Sequence, residues 1–215
     1  MRGSTKAPRG RSKSSGRWLR EHFSDPFVQR AQREGWRSRA VFKLEEIDRR
    51  ERLFAGAHMC LDLGAAPGAW SQYAARRMGA AGKVLASDIL PMPELPGVEF
   101  LQADLREARQ LERLIARLPP QGVDVVLSDM APNLSGVASI DQPRSLELAQ
   151  GALELALRVL KPGGSALIKV FEGAGLEELV ASARGHFGTV KRVKPGASRS
   201  RSPETYLLAR QFGLV

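Results

Sequence analysis

His58-Met59-Cys60-Leu61-Asp62-Leu63-Gly64-Ala65-Ala66-Pro67-Gly68-Ala69-Trp70 is the stretch whose reading decides the fold. A short, mostly apolar run ends on a carboxylate and enters a loop of small residues. Ser71-Gln72-Tyr73-Ala74-Ala75-Arg76-Arg77-Met78 then follows with the composition of a helix. The order is strand, tight turn, helix N-terminus. Gly64 and Gly68 can take positive φ, and small neighbours leave room for a bulky ligand close to the backbone. The spacing Gly-x-x-x-Gly differs from the Gly-x-Gly-x-x-Gly of dinucleotide-binding loops, and no Gly-Lys-Ser/Thr follows as a P-loop requires. The ligand so implied carries no pyrophosphate. S-adenosylmethionine, a nucleoside with a sulfonium tail, fits that omission; a packing turn without a ligand fits the loop alone equally well.

Downstream, residues 83–88, 98–104 and 124–129 read as strands two to four, and like the first they close on acids. A helix runs from after the third strand through about Leu118. A long helix over 143–160 leads through the turn Lys161-Pro162-Gly163-Gly164 to a fifth strand over 165–171, then a helix over 176–186. Residues 190–193 and 206–210 supply the last two strands. Upstream, 18–35 reads as one or two short helices with Asp25 as cap, Pro26 at the first position and Gly35 as stop. Ser38 caps the next helix, in which Val41, Leu44 and Ile47 share a buried face and Lys43 lies off it. Strands alternating with helices predict an α/β, Rossmann-like fold: a seven-stranded, mainly parallel sheet with helices on both faces. Such sheets bind ligands beyond the carboxyl ends of their strands, where Asp62, Asp88, Asp104 and Asp129 fall.

The chain has 215 residues, 43% of them hydrophobic, enough for one domain with a full core. No run approaches the ~20 apolar residues of a membrane span, and no apolar segment near Met1 suggests secretion, so a cytoplasmic monomer is expected. The single cysteine, Cys60, excludes a disulfide framework and a cysteine-rich zinc site and argues against cysteine nucleophilic chemistry. With three scattered histidines no metal constellation is visible. The net charge of +10 is segregated: residues 1–50 hold 14 Lys and Arg against 6 acids, 51–187 hold 13 against 16, and 188–215 hold 6 against 1. Basic ends on a neutral-to-acidic middle suggest a nucleic-acid partner. Residues 1–17 contain no acid and almost nothing to bury, and read as a disordered basic arm ahead of a domain over 18–215.

Asp88, 20 residues after Gly68, is placed to accept hydrogen bonds from both hydroxyls of a ribose, as in any adenosine-binding fold of this class. Asp104 could accept from an adenine amino group or cap the helix that follows. Lys169 lies in the apolar run Ala166-Leu167-Ile168-Lys169-Val170-Phe171, where desolvation lowers an ammonium's pKa; snorkelling to solvent is the plainer alternative, and Asp129 is a candidate partner.

Five motifs carry a resemblance: Ser38-Arg39-Ala40-Val41-Phe42-Lys43-Leu44, the loop from Asp62 to Tyr73, Ser128-Asp129-Met130-Ala131-Pro132-Asn133, Lys169-Val170-Phe171, and Ser198-Arg199-Ser200-Arg201-Ser202-Pro203-Glu204-Thr205-Tyr206. With them the chain resembles the FtsJ-type, RlmE-like ribosomal RNA 2′-O-methyltransferases from about Arg17 to Ala209. The resemblance implies a catalytic tetrad of Lys43, Asp129, Lys169 and Glu204, with Lys169 as base. It implies S-adenosylmethionine contacts at Gly68, Trp70, Asp88, Asp104 and Asp129. The implied substrate is a uridine of large-subunit (23S) rRNA in an assembled or nearly assembled subunit, with the helices over 18–50 and residues 191–201 gripping RNA. Relatives also act on tRNA or messenger caps; the short C-terminus favours the bacterial ribosomal branch. Ala69 departs from the pattern, where relatives usually have glycine. Two readings from other classes are a ribosome-assembly factor using the fold as an RNA-binding platform, and a dinucleotide-dependent oxidoreductase.

Overall fold

The computed structural model describes residues 24–199 and 202–214. The expected basic arm over 1–17, and the start of the segment expected from Trp18, lie outside them. Pro26–Arg33 forms α1, with the Asp25 carboxylate accepting from the Phe27 N–H at 2.9 Å. Val41–Glu51 forms α2, and Val41, Leu44 and Ile47 are buried on it. Ser38 does not cap this helix. Its hydroxyl accepts from the Ala40 N–H at 3.3 Å in a turn that precedes it, and Ala40 takes the cap position.

The strands are β1 (Met59–Leu63), β2 (Lys83–Asp88), β3 (Val98–Gln102), β4 (Val123–Ser128), β5 (Leu160–Phe171), β6 (Phe187–Val193) and β7 (Glu204–Phe212). The remaining helices are α3 (Ala69–Met78), α4 (Ala108–Ile115), α5 (Ala138–Val159) and α6 (Leu176–Arg184). The sheet order is β3-β2-β1-β4-β5-β7-β6, parallel except for β7, which runs antiparallel between β5 and β6. Strands buried on both faces read as continuous apolar runs, which is why the central ones are legible in the sequence. Leu61 and Leu63 point to the side covered by α5 and α6, with Leu153, Ala156, Leu176 and Val180. Cys60, Val125 and Leu127 point to the other side, against Leu44 and Ile47 of α2 and Trp70 and Tyr73 of α3.

Two boundaries differ from expectation. α5 begins at Ala138 rather than at Pro143, because the buried Asp141 carboxylate gathers the Ser135 and Gly136 N–H groups and fixes the first turn upstream of the proline. The expected turn over 161–164 is a bulge inside β5, since Leu160 already pairs with Val123 and the register shifts before Val125 pairs with Ser165.

Candidate active site

The loop after β1 is held by its neighbours. Gly64 has φ +70°, and a Cβ there would lie 2.5 Å from Met130 Cγ. Gly68 has φ +103°, and a Cβ would meet Met92 Sδ at 2.8 Å, Leu95 Cδ1 at 2.9 Å and Arg37 Nη1 at 3.0 Å. The glycines are therefore demanded first by the protein's own close packing. Ala69 opens α3 and is not among the described non-glycine residues with positive φ, so the departure from glycine is accommodated.

Arg37 clamps this loop. Its guanidinium donates to the carbonyls of Pro67 at 3.0 Å, Pro93 at 2.7 Å and Glu94 at 2.6 Å, and its backbone N–H donates to Gln72 Oε1 at 3.1 Å. One cation thus ties the α1–α2 connection, the loop after β1 and the loop after β2 together. Sequence reasoning groups Arg37 with RNA-gripping residues. Its partners are backbone carbonyls, which leave no side-chain pattern to find.

The acids stand at successive strand ends. Asp88 accepts from the Ala66 N–H at 2.9 Å through Oδ2 and from the Leu90 N–H at 2.8 Å through Oδ1, leaving further lone pairs on both oxygens. Asp104 lies two residues beyond β3 and does not cap α4, whose cap is Glu107. The hydrogen bonds of Arg106 hold the Asp104 carboxyl down to about 2. Asp62 is fully buried and accepts from Ser71 Oγ at 2.5 Å; burial pushes it up to about 7.

Four elements bring the predicted tetrad together. β4 delivers Asp129 at its end, β5 delivers Lys169, β7 places Tyr206 opposite Lys169 and Glu204 opposite Phe171, and α2 reaches in with Lys43. Lys169 Nζ lies 2.8 Å from Asp129 Oδ1 and 3.7 Å from Glu204 Oε2, and donates to the Asp129 carbonyl at 2.8 Å. Lys43 Nζ lies 2.7 Å from Glu204 Oε1, so this lysine is paired rather than solvated. Burial pulls the Lys169 ammonium down, but Asp129 and Glu204 outweigh it and the net direction is up. The desolvated, lowered lysine expected from the apolar strand is thus reversed by its partners. Burial likewise pushes Glu204 up, and Lys43 and Lys169 overturn it, leaving the carboxylate lowered.

Sequence reasoning misses two participants. Tyr206, inside a quoted motif, donates from its phenol to Asp129 Oδ1 at 2.8 Å and sits 3.3 Å from Glu204 Oε1. Ser198 donates to Glu204 Oε1 at 2.9 Å. Trp70, buried, donates to the Ala40 carbonyl at 2.8 Å and packs on the Tyr206 ring at 5.6 Å between centroids. It joins the loop's helix to the floor of the charged cluster.

A model of the FtsJ-like methyltransferases matches residues 36–212, which contain the loop and all four charges. The chain belongs to that family. Among FtsJ-like relatives, ribosomal RNA large subunit methyltransferase E of Legionella pneumophila (strain Corby) is 53% identical over 204 residues, 95% of this chain and 99% of the relative. The enzyme of that name in Stenotrophomonas maltophilia (strain K279a) is 56% identical over 198 residues, 92% of this chain and 94% of the relative. The crystal structure of a ribosomal RNA methyltransferase from Plasmodium falciparum superposes with a TM-score of 0.71 at 26% identity, over 82% of this chain and 98% of that one. As an FtsJ-like methyltransferase the chain is an enzyme of methyl transfer.

Several basic residues of the flanks are engaged within the fold. Arg39 pairs with Asp25 and donates to the Ala197 carbonyl. Lys191 pairs with Glu51 at 2.6 Å and Arg192 with Glu177 at 2.8 Å, though both remain over 40% exposed. The RNA grip expected of 191–201 would have to share these cations with their internal partners.

Proposed function

We propose that this enzyme transfers a methyl group from S-adenosylmethionine to the ribose 2′-hydroxyl of a uridine in large-subunit (23S) rRNA, in an assembled or nearly assembled subunit in the cytoplasm. The observation that carries the reading is the Lys43–Glu204–Lys169–Asp129 cluster at the carboxyl edge of the sheet, beside a nucleoside-shaped loop. The names of the relatives supply the RNA class. Among the described residues no helix is long and apolar enough to cross a membrane.

The donor set fits the cofactor. Asp88, Asp104 and Asp129 stand at the strand ends, and Arg37, the loop's own cation, is spent on three carbonyls. Such an acid-rich edge repels a pyrophosphate and suits a cationic sulfonium, which weighs against a dinucleotide. When bound, S-adenosylmethionine supplies an electrophilic methyl group. Asp88 would hold the ribose hydroxyls of its nucleoside through its free lone pairs and Asp104 the adenine amino group, with Gly68, Trp70 and Asp129 lining the remainder.

The acceptor hydroxyl is a weak nucleophile and must be aligned and relieved of its proton. Lys169 is the group to take that proton, in its neutral amine form. Asp129 and Glu204 orient the amine and favour its charged form, so they set the pH at which the base is available. Lys43 and Tyr206 hold Glu204 and Asp129 in place.

The test is transfer from labelled S-adenosylmethionine to undermethylated large subunits, protein-free rRNA and tRNA, mapping the product to base or 2′-oxygen. One 2′-O-methylated rRNA site, lost in Lys169→Ala with cofactor binding intact, is expected. Base methylation, or transfer undiminished in Lys169→Ala, would refute the assignment.

A further inference from the structure

The charged cluster is recessed: the side chains of Lys169 and Asp129 are 7% and 18% exposed. A ribose that meets them must be drawn out of the surface of its RNA, and the base beside it then loses a stacking neighbour. The chain leaves the cluster through the segment that follows Asp129. There Leu134, Val137 and Ile140 stand 62%, 47% and 42% exposed, three large aliphatic side chains within seven residues.

This segment is built rather than slack. The buried Asp141 accepts from the Ser135 N–H and hydroxyl, both at 2.8 Å, and from the Gly136 N–H at 3.0 Å. The Ser135 hydroxyl in turn accepts from the Val137 N–H at 3.2 Å. Gln142 donates to the Ala174 carbonyl at 2.6 Å, tying the start of α5 to the turn after β5, the strand that carries Lys169. The apolar segment is therefore held in fixed relation to the reacting lysine. Arg144, exposed one helical turn beyond Asp141, adds a cation beside it.

We infer that Leu134, Val137 and Ile140 form an apolar ledge that covers the open face of the nucleobase next to the acceptor nucleotide in single-stranded RNA. The inference rests on the RNA 2′-O-methyltransferase reading above. Aliphatic side chains serve as wedges against bases parted from a neighbour, and unpaired segments are where proteins reach RNA bases. The ledge starts five residues after Asp129 and is tied through Gln142 to the turn after the strand of Lys169. It adds a preference for an unstacked acceptor to the choice of ribose.

The test uses the full chain and undermethylated large subunits. In Leu134→Ser/Val137→Ser, KM for subunits rises about tenfold, the equivalent of roughly one stacked base. Cofactor affinity by calorimetry stays unchanged, and so does the salt dependence of RNA binding, because every phosphate keeps its cation. Leu134→Phe, which keeps a flat apolar surface, retains or lowers KM. A photoreactive Leu134→p-benzoylphenylalanine chain crosslinks to a nucleotide adjacent to the methylated one. An unchanged KM in the double variant, or a crosslink to a ribosomal protein or to nothing, overturns the ledge while leaving the enzyme reading intact. Wild-type protein that methylates no RNA overturns both.

Discussion

Asp62 is sealed between the sheet and α3, with one carboxylate oxygen on the Ser71 hydroxyl at 2.5 Å and the other without a hydrogen-bond partner among the described residues. Burial, opposed by the Ser71 hydrogen bond and reinforced by Asp129 and Asp88, pushes it up to about 7. An unfolded aspartate titrates near 3.9, so between about pH 4 and 7 the folded state binds the extra proton. This group therefore lowers stability as pH rises through that window, and its cost is constant above it. At about 1.4 kcal/mol per pKa unit the penalty at pH 8 is a few kcal/mol. Asp62→Asn is expected to remove that decline, raising the urea midpoint at pH 8 but not at pH 4; parallel wild-type and variant curves would contradict it. Lys169 titrates the other way. Held as an ammonium by Asp129 and Glu204, it yields a base only as pH rises, so single-turnover methyl transfer should climb into the alkaline range. Glu204→Gln removes one of the acids holding that proton and should move the climb to lower pH. A profile flat across pH 7–10 in the wild type would argue against Lys169 as base.

Among the elements, the clamp built on Arg37 has the widest reach. Arg37→Ala frees three carbonyls on two loops that flank the proposed cofactor site. Calorimetry is expected to show S-adenosylmethionine affinity falling at least about tenfold, on the scale of one to two charge-assisted hydrogen bonds, with KM for RNA little changed. Arg37→Lys should not rescue it, since an ammonium cannot span the three acceptors as a planar fork does. Unaltered cofactor affinity would show the loops to be self-supporting. This clamp is invisible in the sequence because it is made to backbone. The same distinction runs through the elements. β1 and β2 are legible as apolar runs ending in turns, whereas β5 starts earlier than its sequence suggests, because Pro162-Gly163-Gly164 has turn chemistry that strand pairing at Leu160 overrides. α5 likewise starts early, because proline suits a first helical position, a local signal beaten by the hydrogen bonds of Asp141. Lys43 and Glu204 become candidates only through resemblance; their 2.7 Å pairing joins α2 to β7 and follows from no spacing.

At the scale of the whole molecule the segregated charge has a measurable sense. Residues 1–17 carry six Lys and Arg and no acid. Removing them is expected to make the salt dependence of RNA binding shallower by roughly 0.7–0.9 in log–log slope for each phosphate left without its cation, with cofactor affinity intact. An unchanged slope would show that the arm's cations stay off the RNA. The middle of the chain is net acidic and carries the acids at the strand ends, and the two ends are basic, so under the proposed function the two ligands would be sorted by sign along one sequence. Trp70 gives this arrangement an optical consequence. Its indole N–H is bonded to the Ala40 carbonyl at the start of α2 and its ring packs on Tyr206, which bonds Asp129, while its own helix starts at the loop after β1. The chain has only three tryptophans. With Trp18 and Trp36 replaced by phenylalanine, one buried fluorophore would stand between the two proposed ligand sites, and its emission colour would register, without any label, which of them had been filled.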